Sequence, residues 1–324
     1  MTFLLTGGAG YIGGHVAHAM TDSGQRIVVL DDLSTGHADR LPAGVPLVRA
    51  SVLDTDAVTE CLLRFQVDGV IHFAGKKAVA ESVGDPLRYY QENVGGMVSL
   101  LAAMGRAGVA RIVFSSSAAV YGTPEQDRVT EQSPTRPESP YGTTKLVCEG
   151  LLRDTAAAQS LDHISLRYFN VAGAAAPVLA DRSTDNLIPL VLSALEDGRR
   201  PRVFGDDYPT PDGSCVRDYV HVQDLATAHV AAAARLEAPT SRTPSVLNVG
   251  TGQGSSVKEV LMAVAAATDR PVDYEVAPRR AGDPARVVAS ADEIRGELGW
   301  TARFDLAEMV SSAWRARTAR VGNC

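Results

Sequence analysis

The opening of the chain restricts it to one kind of fold. Thr2-Phe-Leu-Leu-Thr6 is a short apolar run suited to a buried parallel strand. Gly7-Gly-Ala-Gly10-Tyr-Ile-Gly13 follows at once, and Val16, Ala17 and Met20 then recur at helical spacing. A second run, Arg26-Ile-Val-Val-Leu30, ends in Asp31-Asp32. Strand, glycine turn, helix, strand and acid together point to a dinucleotide site, which a glycine turn alone does not. Glycine at 7, 10 and 13 lets the backbone turn tightly and lets a pyrophosphate approach the N–H groups of the helix N-terminus. A carboxylate at Asp31 accepts hydrogen bonds from an adenosine ribose and repels a 2′-phosphate, which selects NAD over NADP. The spacing, G-x-x-G-x-x-G, differs from the G-x-G-x-x-G of simple dehydrogenases.

The alternation continues. Residues 46–49, 69–73, 111–115 and 163–168 read as strands, and 54–65, 86–104 and the segment from Tyr141 as helices. This predicts an α/β fold, a doubly wound parallel sheet of Rossmann type with right-handed crossovers. Ligands of such sheets bind at the carboxyl ends of strands. That singles out Phe73-Ala-Gly-Lys-Lys77, Ser115-Ser-Ser117 and Asn170 as well as the glycine turn and Asp31. Beyond residue 175 the alternation loosens. Residues 186–195, 223–236, 257–266 and 306–318 read as helices, and 202–204, 216–220 and 245–249 as short strands. The expected division is a cofactor domain over 1–174 and a smaller, mixed α/β substrate domain over 175–324, with segments that partly rejoin the first.

Composition excludes several classes of function. Among 324 residues, 45% are hydrophobic and 21% charged, the balance of a globular protein. The net charge of −7, with no cluster of Lys or Arg, argues against a nucleic-acid or anionic-membrane partner. No apolar run approaches the ~18 residues of a membrane span. A strand beginning at Thr2 leaves no room for a leader, and the expected location is the cytoplasm. Cys61, Cys148, Cys215 and Cys324 are scattered, as expected of reduced thiols, and no metal site is expected.

Tyr141-Gly-Thr-Thr-Lys145 opens a segment with helical periodicity after the proline-rich Ser133–Pro140. Residues four apart on a helix share a face, so the phenol and the ammonium reach the same region. A nearby cation favours the phenolate, which would make Tyr141 a general base near neutral pH. A Tyr-x-x-x-Lys pair alone is common on helix surfaces; Ser115-Ser-Ser117 at a strand end supplies the missing partner. Serine, tyrosine and lysine beside an NAD site suit removal of an alcohol proton while its hydride moves to nicotinamide. Ser117 would orient the hydroxyl, Tyr141 take the proton, and Lys145 hold the nicotinamide ribose and keep Tyr141 ionisable.

These residues resemble the extended short-chain dehydrogenase/reductase superfamily and, within it, the UDP-glucose (UDP-galactose) 4-epimerase family. The resemblance rests on Thr6–Gly13, His72-Phe-Ala-Gly75, Phe114–Ala118, Val120-Tyr-Gly122, Ser139-Pro-Tyr-Gly142 and Arg167-Tyr-Phe-Asn170. It continues through Phe204-Gly, Asp207-Tyr-Pro-Thr210, Val216-Arg-Asp-Tyr219, Asp224-Leu-Ala and Pro278-Arg-Arg280. It implies an NAD-dependent inversion of C4 in a UDP-sugar and a homodimer joined through helices such as 86–104 and 141–158. It extends the cofactor contacts to Tyr11, Ile12, Asp32, Ser34, Thr35, Gly36, Ser51, Val52, Phe73, Ala74, Gly75, Lys77, Asn93, Ser115 and Tyr168. It also implies that Asn170, Asn186 and Leu187 hold the UDP portion, that Phe204 packs on uracil, and that Arg217 and Arg280 bind the diphosphate beside Tyr219 and Asp283. Phe169, Val287, Lys77 and Ser117 complete the implied substrate set. Ser51, where the family usually carries an acid, and Asp32, in place of asparagine, depart from the pattern near the adenosine.

The sugar stays open at this level. UDP-glucose/UDP-galactose is the first expectation. Val287, small where some relatives carry tyrosine, would admit an N-acetylhexosamine. Lys76, Arg286 or the Ser115–Ser117 hydroxyls would accommodate a uronate. A 4,6-dehydratase is disfavoured because Ala118-Ala119 stand where elimination needs acids. A non-catalytic NAD-sensing regulator is the alternative from another class.

Overall fold

The computed structural model describes residues 1–183, 185–238, 245–280 and 282–321. Seven parallel strands form the main sheet, in the spatial order Val246–Val249, Asp162–Tyr168, Arg111–Ser117, Gly69–His72, Thr2–Thr6, Arg26–Leu30 and Leu47–Val48. Successive side chains of a strand face opposite sides, and the two cores follow that period. Phe3, Leu5, Val29, Ile71 and Val113 enter one core with Val16, Met20 and Leu225. Leu4, Val28, Leu30, Val70, Ile112 and Phe114 enter the other with Leu62, Leu100 and Leu152. The first face is covered by the helices Tyr11–Asp22 and Val222–Glu237, the second by Thr55–Arg64, Gly96–Ala107 and Pro140–Ala158. This is the doubly wound sheet expected from the alternation.

Residues beyond 175 supply both the helix Val222–Glu237 and the edge strand Val246–Val249. The remainder builds a smaller layer. Val216–His221 is paired by Asn170–Ala172, Gly254–Ser256 and Arg286–Val287, and Arg202–Phe204 pairs with Glu275–Ala277. The helices Leu187–Glu196, Val257–Thr268 and Leu306–Val321 share a third core around Ile188, Leu192, Leu261 and Val310.

The single helix expected over 86–104 is in fact three pieces. Pro86–Tyr89 and Gly96–Ala107 are α-helical, and Tyr90–Gly95 between them widens to a π-helical turn. Such a widening commonly serves a function. Here Asn93 points inward, 3% exposed. Cys61, Cys148 and Cys215 are buried and unpaired, and Cys324 lies outside the described residues. Among the described residues no helix is long and apolar enough to cross a membrane, and no group of His, Cys, Asp or Glu has a metal-binding arrangement.

Candidate active site

A cleft of about 470 Å³ opens along the carboxyl ends of the parallel strands. Its floor is the glycine turn. Gly7 has φ +70, and a Cβ there would sit 2.6 Å from the Ala74 nitrogen. A Cβ at Gly13 would sit 2.5 Å from the Gly7 oxygen, so the turn closes only with glycine at both places. The following helix, Tyr11–Asp22, is capped by Gly10 without a side-chain bond and has no acid in its first turn. Its N–H groups and the positive end of its dipole therefore face the cleft, as an anion requires.

Asp31 ends the second strand at the far side of the turn. The Ala9 and Leu33 N–H groups donate to its two carboxylate oxygens at 2.9 and 2.8 Å. Burial raises its pKa, while those backbone bonds pull it down. Gly36 lies against it, because a Cβ there would come within 2.7 Å of Asp31 Oδ1. Asp32 turns to the Ser34 N–H at 2.8 Å, and the Ser51 hydroxyl accepts from the Leu53 N–H at 3.2 Å. A glycine cradle, an uncapped helix N-terminus and a fixed acid fit the pyrophosphate and ribose of NAD.

All the residues expected at the cofactor line this cleft except Asn93 and Ser115. Those two stand one layer behind it. Asn93 Oδ1 accepts from the Lys76 N–H at 2.7 Å, and its amide nitrogen donates to the Lys76 carbonyl at 3.1 Å and to Thr144 Oγ1 at 3.0 Å. It holds the Gly75–Lys76 loop in place instead of facing the cleft. The Ser115 hydroxyl is engaged with His229 Nε2 at 2.8 Å. Lys76, His37, Arg40, Glu81, Glu92 and the segment 181–183 with Asp185 also line the cleft. Of these, sequence reasoning placed only Lys76 at a site, and for the sugar. Arg40 donates to the Ala180 carbonyl at 3.0 Å and Arg182 pairs with Asp39 at 3.1 Å, so the turn after the second strand and the 180–183 segment meet there. No motif marks either in the sequence.

Tyr141 and Lys145 project from the helix Pro140–Ala158, whose start is fixed by Ser139 accepting from the Gly142 N–H at 3.1 Å. Lys145 Nζ donates to the Ser115 carbonyl at 2.9 Å and lies 6.0 Å from the centre of the Tyr141 ring. Burial lowers the Lys145 pKa to about 8, against the upward pull of Cys148 and Glu149. Burial raises the Tyr141 pKa, and the Ser117 hydroxyl beside it lowers it. Desolvation is the largest influence on the phenol here, and the Lys145 ammonium, 6.0 Å from its ring centre, is directed to the Ser115 carbonyl. Ser117, which also accepts from the Ala119 N–H at 3.1 Å, is the partner that favours the phenolate.

The residues expected at the substrate lie outside the cleft lining, apart from Lys77 and Tyr141. The smaller sheet gathers several of them: Asn170 pairs with Tyr219, and Arg217 with Val287. Arg217 is bonded to Asp283, not to the adjacent Asp218. Asp218 is fully buried and accepts from Thr251, Gly252 and Ala289. The Arg280 guanidinium stacks 3.9 Å over the Phe204 ring. Asn186 caps the helix Leu187–Glu196 and donates to Asp181 at 2.7 Å, which ties it to the cleft rim. Phe169 and Val287 share a buried cluster with Val120, Tyr121, Val129 and Ala289. Arg286 donates to the Asp127 carbonyl at 3.4 Å.

The chain matches the NAD dependent epimerase/dehydratase family over residues 3–250. A UDP-glucose 4-epimerase of Streptomyces lividans is 47% identical over 317 residues, spanning 96% of this chain and 94% of that one. One of Azospirillum brasilense is 46% identical over 307 residues, spanning 93% of this chain and 87% of that one. Among solved structures, UDP-glucose 4-epimerase from Stenotrophomonas maltophila, with bound NAD and formylated UDP-arabinopyranose, matches with a TM-score of 0.95. That pair is 40% identical, and 100% of each chain is covered. The chain belongs to the NAD-dependent epimerase/dehydratase family. Within that family, these near-full-length relatives are UDP-glucose 4-epimerases.

Proposed function

We infer that this protein is an NAD-dependent UDP-glucose 4-epimerase, inverting C4 of a UDP-hexose through a 4-keto intermediate. The observation that carries the reading is the meeting of Ser117, Tyr141 and Lys145 at the mouth of a cleft built for NAD. Bound NAD would supply reversible acceptance of the C4 hydride; the remaining work falls to the chain. Tyr141 takes the O4 proton as the C4 carbonyl forms, and gives it back after the keto sugar has presented its other face. Ser117 orients O4 and favours the phenolate. Lys145, a buried cation fixed by the Ser115 carbonyl, adds positive charge beside the reacting oxygen.

For the nucleotide, Arg217 and Arg280 suit a diphosphate through the fork of the guanidinium, and Phe204 offers a face to the base. The two-part division at residue 174 then puts most of the cofactor contacts in the first part and most of the nucleotide contacts in the second, with 181–183 and Asp185 of the second part reaching the cofactor cleft. Val83, Leu87, Tyr90, Val98 and Val147 are exposed apolar residues on or beside the helices 86–107 and 140–158, which supports a homodimer through that surface. Three buried, unpaired thiols suit a cytoplasmic location.

The direct test is to incubate the purified protein with UDP-glucose, adding no cofactor, and to separate UDP-galactose by chromatography. Epimer formation, with NAD recovered on acid extraction, is the expected result. Extraction of NADP, or no epimer when NAD is supplied, would overturn the reading.

A further inference from the structure

One residue short of the strand ends, a row of buried polar side chains crosses three neighbouring strands. Ser116, Arg167 and Asn248 stand side by side in the parallel register, and none is more than 5% exposed. The helix that carries Tyr141 and Lys145 covers the row with Glu149, one turn beyond Lys145 on the same face. Ser116 Oγ donates to Glu149 Oε1 at 2.5 Å. Arg167 forks onto the same carboxylate, Nε to Oε1 at 2.9 Å and Nη2 to Oε2 at 2.6 Å. Its Nη1 donates to the Tyr121 hydroxyl at 2.9 Å, which donates in turn to Asn248 Oδ1 at 2.7 Å. Asn248 Nδ2 then reaches the Val129 carbonyl at 3.0 Å.

A buried ion pair is a poor source of stability, because desolvation offsets its attraction and apolar residues would serve as well. What the fork adds is direction. Three successive serines dock onto one helix at three places: the Ser115 carbonyl takes Lys145, Ser116 meets Glu149, and Ser117 faces Tyr141. The middle contact is the one with two charged partners and no role in the chemistry.

We propose that Glu149 and Arg167 are positioning residues for the epimerisation: their buried pair, braced by Ser116 and Tyr121, holds Tyr141 and Lys145 in register with Ser117. This rests on Tyr141 and Lys145 being the catalytic pair.

Two variants test the proposal in the NAD-loaded protein. Tyr121→Phe deletes only the hydroxyl between Arg167 and Asn248, and kcat should fall about fivefold, as for one lost hydrogen bond. Glu149→Gln with Arg167→Met leaves a neutral interior of similar volume. Here kcat should fall by about tenfold or more, as misplacement of reacting groups does. KM for UDP-glucose and bound NAD should stay near wild type, so that the loss falls on kcat alone. A merely structural pair would lower the melting temperature and leave kcat unchanged; that result overturns the proposal. If the double variant fails to fold, Tyr121→Phe decides it, and wild-type kcat there is the overturning result. Tyr141→Phe, measured alongside, separates the two levels: full activity in it removes the catalytic assignment itself.

Discussion

Lys145 Nζ bonds to the carbonyl of Ser115 at 2.9 Å, and that bond joins the helix bearing Tyr141 to the strand bearing Ser117. The lysine is thus fixed by backbone before any ligand enters, at 5% exposure. Its ammonium is oriented by the fold and does not depend on substrate to place it. The cost is visible in its pKa, which burial brings down to about 8. A site arranged this way keeps its charge in place without large movement on binding.

The first prediction follows for the proton acceptor. Tyr141→Phe removes one hydroxyl from a buried ring and leaves the cleft walls as they are. Turnover of UDP-glucose should fall by about 10²–10⁴-fold, the usual loss for a general base. UDP affinity, measured by calorimetry, and NAD content should be unchanged. A variant that keeps full rate would remove Tyr141 from the chemistry.

A second concerns Asn93, which shapes the cofactor cleft from behind. Its side chain makes three bonds, two to Lys76 and one to Thr144. It also fills the space beside Gly75, where a Cβ would meet Asn93 Oδ1 at 2.8 Å. Asn93→Ala should release the Gly75–Lys76 loop, and the purified variant should carry much less NAD than the wild type. Adding excess NAD should restore activity, because no reacting group has been lost. Full NAD occupancy after dilution would show that the loop needs no such support.

How far the sequence reveals these features depends on how local they are. The glycine turn and Asp31 are legible because each acts within its own βαβ unit, through backbone shape and one carboxylate. Tyr141 and Lys145 are legible as a pair because four residues make one helical turn. Asn93 is readable as important but not as a support, since the π-helical turn that swings it inward leaves no periodic mark in the sequence. Arg217 shows the same limit: its bond crosses sixty-six positions to Asp283, which the family resemblance, and no local pattern, set beside it. Nor do 181–183 and Asp185 carry any motif. Their place on the cleft rim follows from Arg182 meeting Asp39 and Asn186 meeting Asp181, contacts that exist only once the chain has folded.

A third prediction concerns titration. Burial lowers the pKa of His72 to about 3 and of His15, His221 and His229 to about 4, from an ordinary 6.5. Each depressed ring is neutral in the folded chain where an unfolded one is protonated. Between 6.5 and the folded value the unfolded state binds more protons, so these rings contribute stability above pH 6.5 that is lost as pH falls. Every tenfold loss of proton affinity on folding corresponds to about 1.4 kcal/mol for the ring concerned. Ring proton–nitrogen spectra recorded through this range should show no midpoint near 6.5 for these four residues. A normal midpoint for His229, which lies against Ser115 and Phe73, would mean that this part of the cleft wall is wet.

The last prediction is the choice of sugar. Val287 is 8% exposed and packed with Phe169, Tyr121 and Val129, so it bounds any sugar with a small apolar edge. Arg286 is turned to the Asp127 carbonyl, and Lys76 is fixed by its backbone to Asn93, its side chain facing the cofactor cleft. Both cations are directed elsewhere, and of the three serine hydroxyls Ser115 is engaged with His229 and Ser116 with Glu149, so a C6 carboxylate has no cation waiting for it and only Ser117 among the serines. UDP-glucose and UDP-galactose should show the highest kcat/KM. UDP-N-acetylglucosamine should follow, because a valine edge leaves room that a tyrosine would take. UDP-glucuronate should be poorest, since its charge would be desolvated without a fork to receive it. Measuring kcat/KM for all of them in one buffer settles the order. A preference for the uronate would mean that Lys76 or Arg286 reorients on binding, and activity confined to the plain hexoses would mean that Val287 does not set the size of the pocket.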